Sequence, residues 1–304
     1  MINDSVLDLI GNTPVVRLCA LSKELGIDAL IKLESFNPGG SHKVRVAKAM
    51  IEDAEARGIL TRGSGQTIIE PSGGNTGIGL ALVGCQLGYK LILVIPDNYS
   101  QEKQELLRLH GADVVLSDSR RGNNSHGEMA MEIQLMHPEY VLLNQQRNPA
   151  NPEVHRRTTA REILADFGEQ RIDVFVGGIG TGGHITGISE TLKARWPEMK
   201  AYGVEPEQCD LLNDRHAPHD IQGLSVGIVP AVLNLGILDG VIKVAKADCI
   251  EMAKTTLRRE SISLGISSAA NLVAISKIAE DLDRGSTVLT LSYDTIDSYL
   301  SYFR

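Results

Sequence analysis

The chain has no long basic run, and its 30 Lys and Arg are outnumbered by 38 Asp and Glu, a formal net charge of -8. Nucleic acid is therefore not an expected partner, because phosphate backbones are held by clustered Lys and Arg. Cysteine is sparse. Cys19, Cys85, Cys209 and Cys249 stand far apart with no paired ligand spacing, so neither a zinc site nor a disulfide frame is expected, and the thiols read as reduced and mostly buried. The eight histidines show no metal spacing and no acidic pair stands out as a hydrolase dyad, so no metal is expected. Long hydrophobic runs are also missing. The most apolar stretch, residues 77–96, is broken by Gln86, Gly88 and Lys90 and reads as helix, turn and strand rather than a membrane span. The opening MINDSVLDLI carries acidic residues without a basic region, apolar run or cleavage site, which predicts no secretory leader and a cytoplasmic location. There is no short-period repeat, low-complexity tract or flexible linker.

What is present is an ordinary globular composition, 42% hydrophobic and 22% charged over 304 residues, enough for one large domain or two modest ones. Short β-rich runs alternate with helical patterns. DALIKLE (28–34) precedes a helix near 43–57, QTIIE (66–70) one near 75–87, and KLILVI (90–95) one near 100–110. DVVLS (113–117), a helix around EMAMEIQLM and YVLL (140–143) follow, then a helix near 153–167, IDVFVG (172–177), a helix near 184–195 and KAYGVE (200–205). GVIKVA (240–245), two helices, VLTLS (288–292) and a short terminal helix complete the chain. This alternation predicts βαβ units, a largely parallel sheet and the α/β class. The polar NQQRNPANP stretch suggests a boundary near residue 145.

In open parallel sheets, ligands bind beyond the carboxyl ends of the strands. NPGGSHK (37–43), PSGGNTG (71–77) and GGIGTGGH (177–184) each follow a strand, and LGISSAAN (264–271) opens a late helix. GGIGTGG is an anion signal, since glycines allow close backbone approach and a helix start supplies unpaired N–H donors. Alone it is ambiguous: Gly178, Gly180 and Gly183 satisfy a dinucleotide pattern, with Glu205 near the place of the ribose-binding acid. PSGGNTG reads alone as a helix cap through Ser72 or Asn75, and Lys43 alone as a solvated surface charge.

Together these segments resemble the cysteine synthases (O-acetylserine sulfhydrylases) and the catalytic core of the cystathionine β-synthases, of the fold type II pyridoxal-phosphate family. The resemblance runs from LIGNTPVVRL (9–18) to YLSYF (299–303) through KLESFNPGGSHK, IIEPSGGNTGIGLAL, RNPANPEVHRRTTAREIL, GGIGTGGHITGI, IQGLSVGIVPAVL and GISSAA in order. It implies two open, mostly parallel three-layer α/β domains of the tryptophan synthase β-subunit-like type. Residues 36–145 would form a smaller, mobile domain, and 1–35 with 146–304 the larger one. It implies that Lys43 is the catalytic lysine, holding pyridoxal 5'-phosphate as a Schiff base, with Asn75 beside the ring hydroxyl. Gly180, Thr181, Gly182, Gly183 and His184 would bind the phosphate, and Ser267 would face the pyridine nitrogen. Ser72, Gly73, Gly74 and Thr76, with Gln145 opposite, would grip a substrate carboxylate. The activity implied is β-replacement on an O-activated serine through an aminoacrylate, with a small amino acid and a small nucleophile as substrates, in a homodimer.

The chain departs from the family's pattern in four segments: Ser72-Gly73-Gly74-Asn75-Thr76 for T-S-G-N-T, His42-Lys43-Val44-Arg45 for V-K-D-R, His184 for threonine, and Ala269 for glycine. Gly73 suggests a loop for a different or bulkier amino acid, and the set suggests a specialised donor or nucleophile. Drift, with His42 and His184 in structural contacts, is the plainer reading. The other readings are serine or threonine dehydration by the same cofactor, and a non-catalytic homologue that binds a protein partner. No regulatory nucleotide-binding module or haem segment is expected.

Overall fold

The computed structural model describes residues 2–99, 101–121 and 124–303. In chain order its main elements begin with β1 (Val15–Arg17), α1 (Cys19–Leu25), β2 (Asp28–Leu33), α2 (Lys43–Ala56), β3 (Thr67–Glu70) and α3 (Asn75–Gln86). Next come β4 (Lys90–Pro96), α4 (Gln101–Leu109), β5 (Asp113–Ser117), α5 (Ser125–Met136), β6 (Val141–Leu142) and α6 (Ala150–Val154). A π turn (His155–Thr159) leads into α7 (Ala160–Phe167), β7 (Val174–Gly178), α8 (Gly183–Arg195), β8 (Lys200–Pro206) and β9 (Gly240–Val244). Last are α9 (Lys246–Glu260), α10 (Ile266–Ile278), β10 (Thr287–Ser292) and a terminal 3-10 segment (Ile296–Phe303). Residue 100, the first of one expected helix, lies outside the described residues.

The chain forms two compact units, residues 1–10 with 41–151 and residues 11–40 with 152–304. In the first, four strands in the order β5-β4-β3-β6 are all parallel. The pleat sends alternate side chains to opposite faces. Ile92 and Val94 of β4 pack with Ala130 and Ile133 of α5, whereas Leu93 approaches the start of α3. Both faces are covered, which is why KLILVI reads as a continuous apolar run rather than an alternating one.

The second unit holds six strands in the order β1-β2-β10-β7-β8-β9. Only β1 is antiparallel to its neighbour. Val174 and Val176 face a core shared with α9 and α10. Phe175, between them, faces α7 and α8 with Ile163, Ile185 and Ile188. A helix layer on each side of a parallel sheet is the three-layer arrangement expected, and each such buried aliphatic side chain contributes roughly 1.5–3 kcal/mol.

The structure adds to the expected pattern. β1, three residues long, and α1, seven residues long, stand outside that pattern. The helix expected near 153–167 is interrupted by the π turn. Cys209 and Cys249 are buried as expected, but Cys85 is half-buried and Cys19, opening α1, is exposed; all four are free thiols. Among the described residues no cluster suited to a metal ion occurs, and no helix is long and apolar enough to cross a membrane.

Candidate active site

In the first unit, β3 ends at Glu70 and the chain turns through residues 71–74 into α3. The Ser72 N–H donates to the Glu70 carbonyl at 3.0 Å. A Cβ on Gly77 would collide with the Ser72 carbonyl, so glycine there lets the loop fold onto the first turn of α3. The cap expected from Ser72 or Asn75 is not formed: the N-cap is Gly74, in extended conformation, with no side-chain cap bond.

The Thr76 hydroxyl donates to Gln145 Oε1 at 2.7 Å. Gln145 is also held through its backbone, because its N–H donates to Glu70 Oε1 (3.0 Å) and its carbonyl accepts from Asn151 Nδ2 (2.8 Å). Glu70 Oε2 also takes the N–H of Asn144 at 2.8 Å, a residue with φ of 54°. Burial pushes the Glu70 carboxyl up to about 7, against these two N–H donors, which pull it down. The loop and the distant glutamine assigned to the substrate carboxylate are thus brought together. Glu70, which arranges them, was missed; its signal was a carboxylate ending the otherwise apolar strand TIIE.

The room that Gly73 leaves is not open. A Cβ there would lie 2.6 Å from Ile95 Cγ2 and 2.7 Å from Tyr99 Cε1. Side chains from β4 and the residues after it occupy the place that a Gly73 side chain would take.

Lys43 is the first residue of α2, half-buried, behind the buried Ser41 and His42. Gly39 and Gly40, with φ of 78° and 71°, make the turn before it. A Cβ on Gly79 would sit 3.0 Å from Val44 Cα and 3.1 Å from the Lys43 carbonyl, so the two helix backbones touch. Asn75, one turn before Gly79 on the same face, therefore starts α3 alongside the start of α2.

In the second unit, β7 runs into the 179–182 loop and α8. Gly182 is the N-cap, with φ of 77°. A Cβ on it would lie 2.6 Å from Leu233 Cδ1, and one on Gly180 would strike the Gly223 carbonyl. The loop is a backbone cradle closed in by residues 223 and 233, and the first turn of α8 leaves its N–H groups without intrahelical acceptors. Thr181 and His184 are each 4% exposed. Ser267, the second residue of α10, has its Oγ 3.5 Å from where a Gly223 Cβ would stand. Gly180 and Ser267 thus flank the same glycine.

Glu205 does not supply a ribose acid. It is 1% exposed, and its Oε2 accepts the N–H of Leu211 at 2.8 Å. The dinucleotide reading loses the residue that gave it weight.

A protein-family model described as "Pyridoxal-phosphate dependent enzyme" matches residues 6–294. The chain is 40% identical to a cysteine synthase of Staphylococcus aureus over 299 residues, 98% of this chain and 96% of that one. It is 38% identical to the O-ureido-L-serine synthase of Streptomyces lavendulae over 301 residues, 99% of this chain and 92% of that one. The crystal structure of an O-ureido-L-serine synthase superposes with a TM-score of 0.94 at 38% identity, covering 99% of this chain and 94% of that one.

Proposed function

Because the chain belongs to the pyridoxal-phosphate dependent enzyme family, we propose that it replaces the β-substituent of an O-substituted L-serine with a small nucleophile. The Thr76–Gln145 contact of 2.7 Å carries this reading. It closes a glycine-bent loop at a helix start, suited to an amino acid's carboxylate.

The residues fit the cofactor. Gly180 and Gly182 sit where a Cβ would collide with the surrounding chain, so backbone N–H groups can approach a phosphate directly. The donor set suits the remainder: the Lys43 amine for the aldehyde carbon, the Asn75 amide for the ring hydroxyl, the Ser267 hydroxyl for the ring nitrogen. Bound there, the cofactor supplies an electron sink for charge left at the substrate Cα.

Each protein group then has a task. N–H groups and hydroxyls of Ser72 to Thr76, with Gln145, hold the substrate carboxylate and so orient the Cα–H bond. Lys43 Nζ takes the Cα proton as general base and later returns it. A neutral hydroxyl from Ser267 leaves the ring nitrogen less protonated than a carboxylate would, which favours rapid departure of the β-substituent.

The relatives bracket the substrates. One is named for cysteine and another for O-ureido-L-serine, a product in which an N-hydroxyurea-type oxygen takes the β-position. The packing of Tyr99 and Ile95 on Gly73 supports a specialised member. The test is mass spectrometry of products from O-acetylserine and O-phosphoserine, each offered sulfide, homocysteine, amines and hydroxyurea. Replacement products support the reading; pyruvate as the main product rejects it in favour of dehydration. Lys43→Ala is expected to abolish turnover and borohydride trapping on the Lys43 peptide. A cytoplasmic homodimer belongs to the same proposal, and light scattering of the purified protein at the mass of one chain would reject the dimer.

A further inference from the structure

Tyr293, the residue after β10, is 3% exposed. Its phenol oxygen lies 2.7 Å from the Gly178 nitrogen, 3.1 Å from Asn271 Nδ2 and 2.9 Å from His184 Nε2. A peptide N–H can only donate. Asn271 Nδ2 also faces the Leu291 carbonyl at 3.2 Å, which can only accept, so that corner of the amide is the NH2 and it donates to the phenol too. Two donors take the two lone pairs of the phenol oxygen, and its one proton goes to His184 Nε2.

Nε2 is then an acceptor, and the imidazole proton sits on Nδ1. A charged His184 would press a third N–H against an oxygen whose lone pairs are both taken. Burial raises the Tyr293 phenol, so it keeps its proton near neutral pH. Another ionisable ring against His184 is His155, edge-on at 6.1 Å between centroids, whose Nδ1 is 2.9 Å from Thr159 Oγ1 within the π turn. The ring's two ends also face different ways. Nε2 reaches over β7, 3.1 Å from where a Gly177 Cβ would stand, whereas Nδ1, one bond from the ring carbon that carries Cβ, stays by the first turn of α8.

We propose that Tyr293, oriented by Asn271 and the Gly178 N–H, is a positioning residue that fixes His184 as a neutral imidazole whose Nδ1–H donates to the phosphate held by the 180–184 loop. The tautomer follows from the contacts alone; the identity of the anion rests on the functional reading above. Tyr293 also joins the loop to the helix bearing Ser267, since its N–H donates to Ser268 Oγ at 2.8 Å. One phenol would thereby tie the phosphate end of the cofactor site to its ring-nitrogen end.

The experiment is 15N NMR of protein labelled at histidine, with His184→Gln identifying the signal. Long-range proton–nitrogen correlations distinguish the two tautomers. The expected result is a proton on Nδ1 and none on Nε2, unchanged from pH 6 to 8 with no cofactor bound. Adding pyridoxal phosphate or inorganic phosphate is expected to shift the Nδ1 resonance. Tyr293→Phe is expected to release the ring to the Nε2–H form, to let it titrate, and to weaken cofactor binding about tenfold, the loss of one hydrogen bond to a charged group. A proton on Nε2, or an imidazolium, in the unsubstituted protein at pH 7 overturns the proposal even if Tyr293→Phe does not fold. A correct tautomer whose Nδ1 ignores both phosphates overturns the donor role. If Lys43 traps no cofactor, the functional reading fails while the tautomer is still read from the same spectrum.

Discussion

Glu70 Oε1 accepts the N–H of Gln145 at 3.0 Å, and the partner oxygen takes the N–H of Asn144 at 2.8 Å. A carboxylate with no exposed surface thus fixes the backbone of a residue 75 positions away. That residue's side chain in turn meets Thr76 in the loop that opens α3. The strand end, the loop and the distant glutamine form one hydrogen-bonded unit.

Stability of this unit is expected to fall as pH rises. The Glu70 carboxyl moves from an ordinary 4.5 to about 7 in the folded chain, chiefly through burial. Between those values the native state binds more protons than the unfolded state, so its contribution is full below about 4.5 and lost by about 7. The loss is on the order of 3 kcal/mol. Urea midpoints of cofactor-depleted protein from pH 5 to 8 should show this slope. Glu70→Gln should flatten it, while raising KM for the amino-acid substrate as Gln145 loosens. An equal slope in both proteins would sink the assignment.

Gly73→Ser is expected to destabilise by about 1–3 kcal/mol, the usual result of forcing atoms into filled space, because its Cβ would meet Ile95 and Tyr99. Tyr99→Ala should recover part of that loss in the double variant. A coupling of at least about 0.5 kcal/mol in a double-mutant cycle is the expected signature. Strict additivity would mean that the ring does not occupy the serine's place.

The fold was legible because both sheets are parallel, but for β1, and covered on both faces, so strands such as VFVGG and KLILVI stand out as apolar runs between helical patterns. The loops were legible because glycines mark where backbone must come close. Partnership was not legible. Nothing in the letters tells that Glu70 reaches residue 145, that Tyr99 fills the space at Gly73, or that Tyr293 and Asn271 converge on His184. Such contacts depend on strand register and helix packing, not local spacing. Lys32 is a further example. It looks like a polar break in an apolar strand, yet it is fully buried with Glu162 at 3.0 Å and Asp166 at 3.5 Å.

That buried lysine predicts an order of effects. Its ammonium also donates to the Thr13 carbonyl at 2.7 Å. Glu162→Ala leaves the charge buried with only the more exposed Asp166, an arrangement that typically costs about 3–5 kcal/mol. Lys32→Met removes the charge itself and keeps most of the volume, so it should cost less, and the double variant should be no worse than Glu162→Ala alone. Urea unfolding of the three proteins decides it. A larger loss for Lys32→Met would reverse the argument.

Two glycines on α3 should respond to alanine with opposite signs. Helix propensity favours alanine over glycine by about 1 kcal/mol. At Gly84 the new Cβ would meet only Ile51 Cδ1, at an ordinary 3.8 Å, so Gly84→Ala should stabilise by nearly that amount. At Gly79 it would meet the backbone of Val44 and Lys43 at 3.0–3.1 Å. Backbone cannot swing aside as a side-chain tip can, and the overpacking cost of about 1–3 kcal/mol should outweigh the gain. Because one of the obstructed atoms is the carbonyl oxygen of Lys43, the residue proposed to hold the cofactor, Gly79→Ala should also slow borohydride-trappable adduct formation at Lys43, and Gly84→Ala should not. Equal trapping rates in the two variants would mean that α3 does not set the position of that lysine.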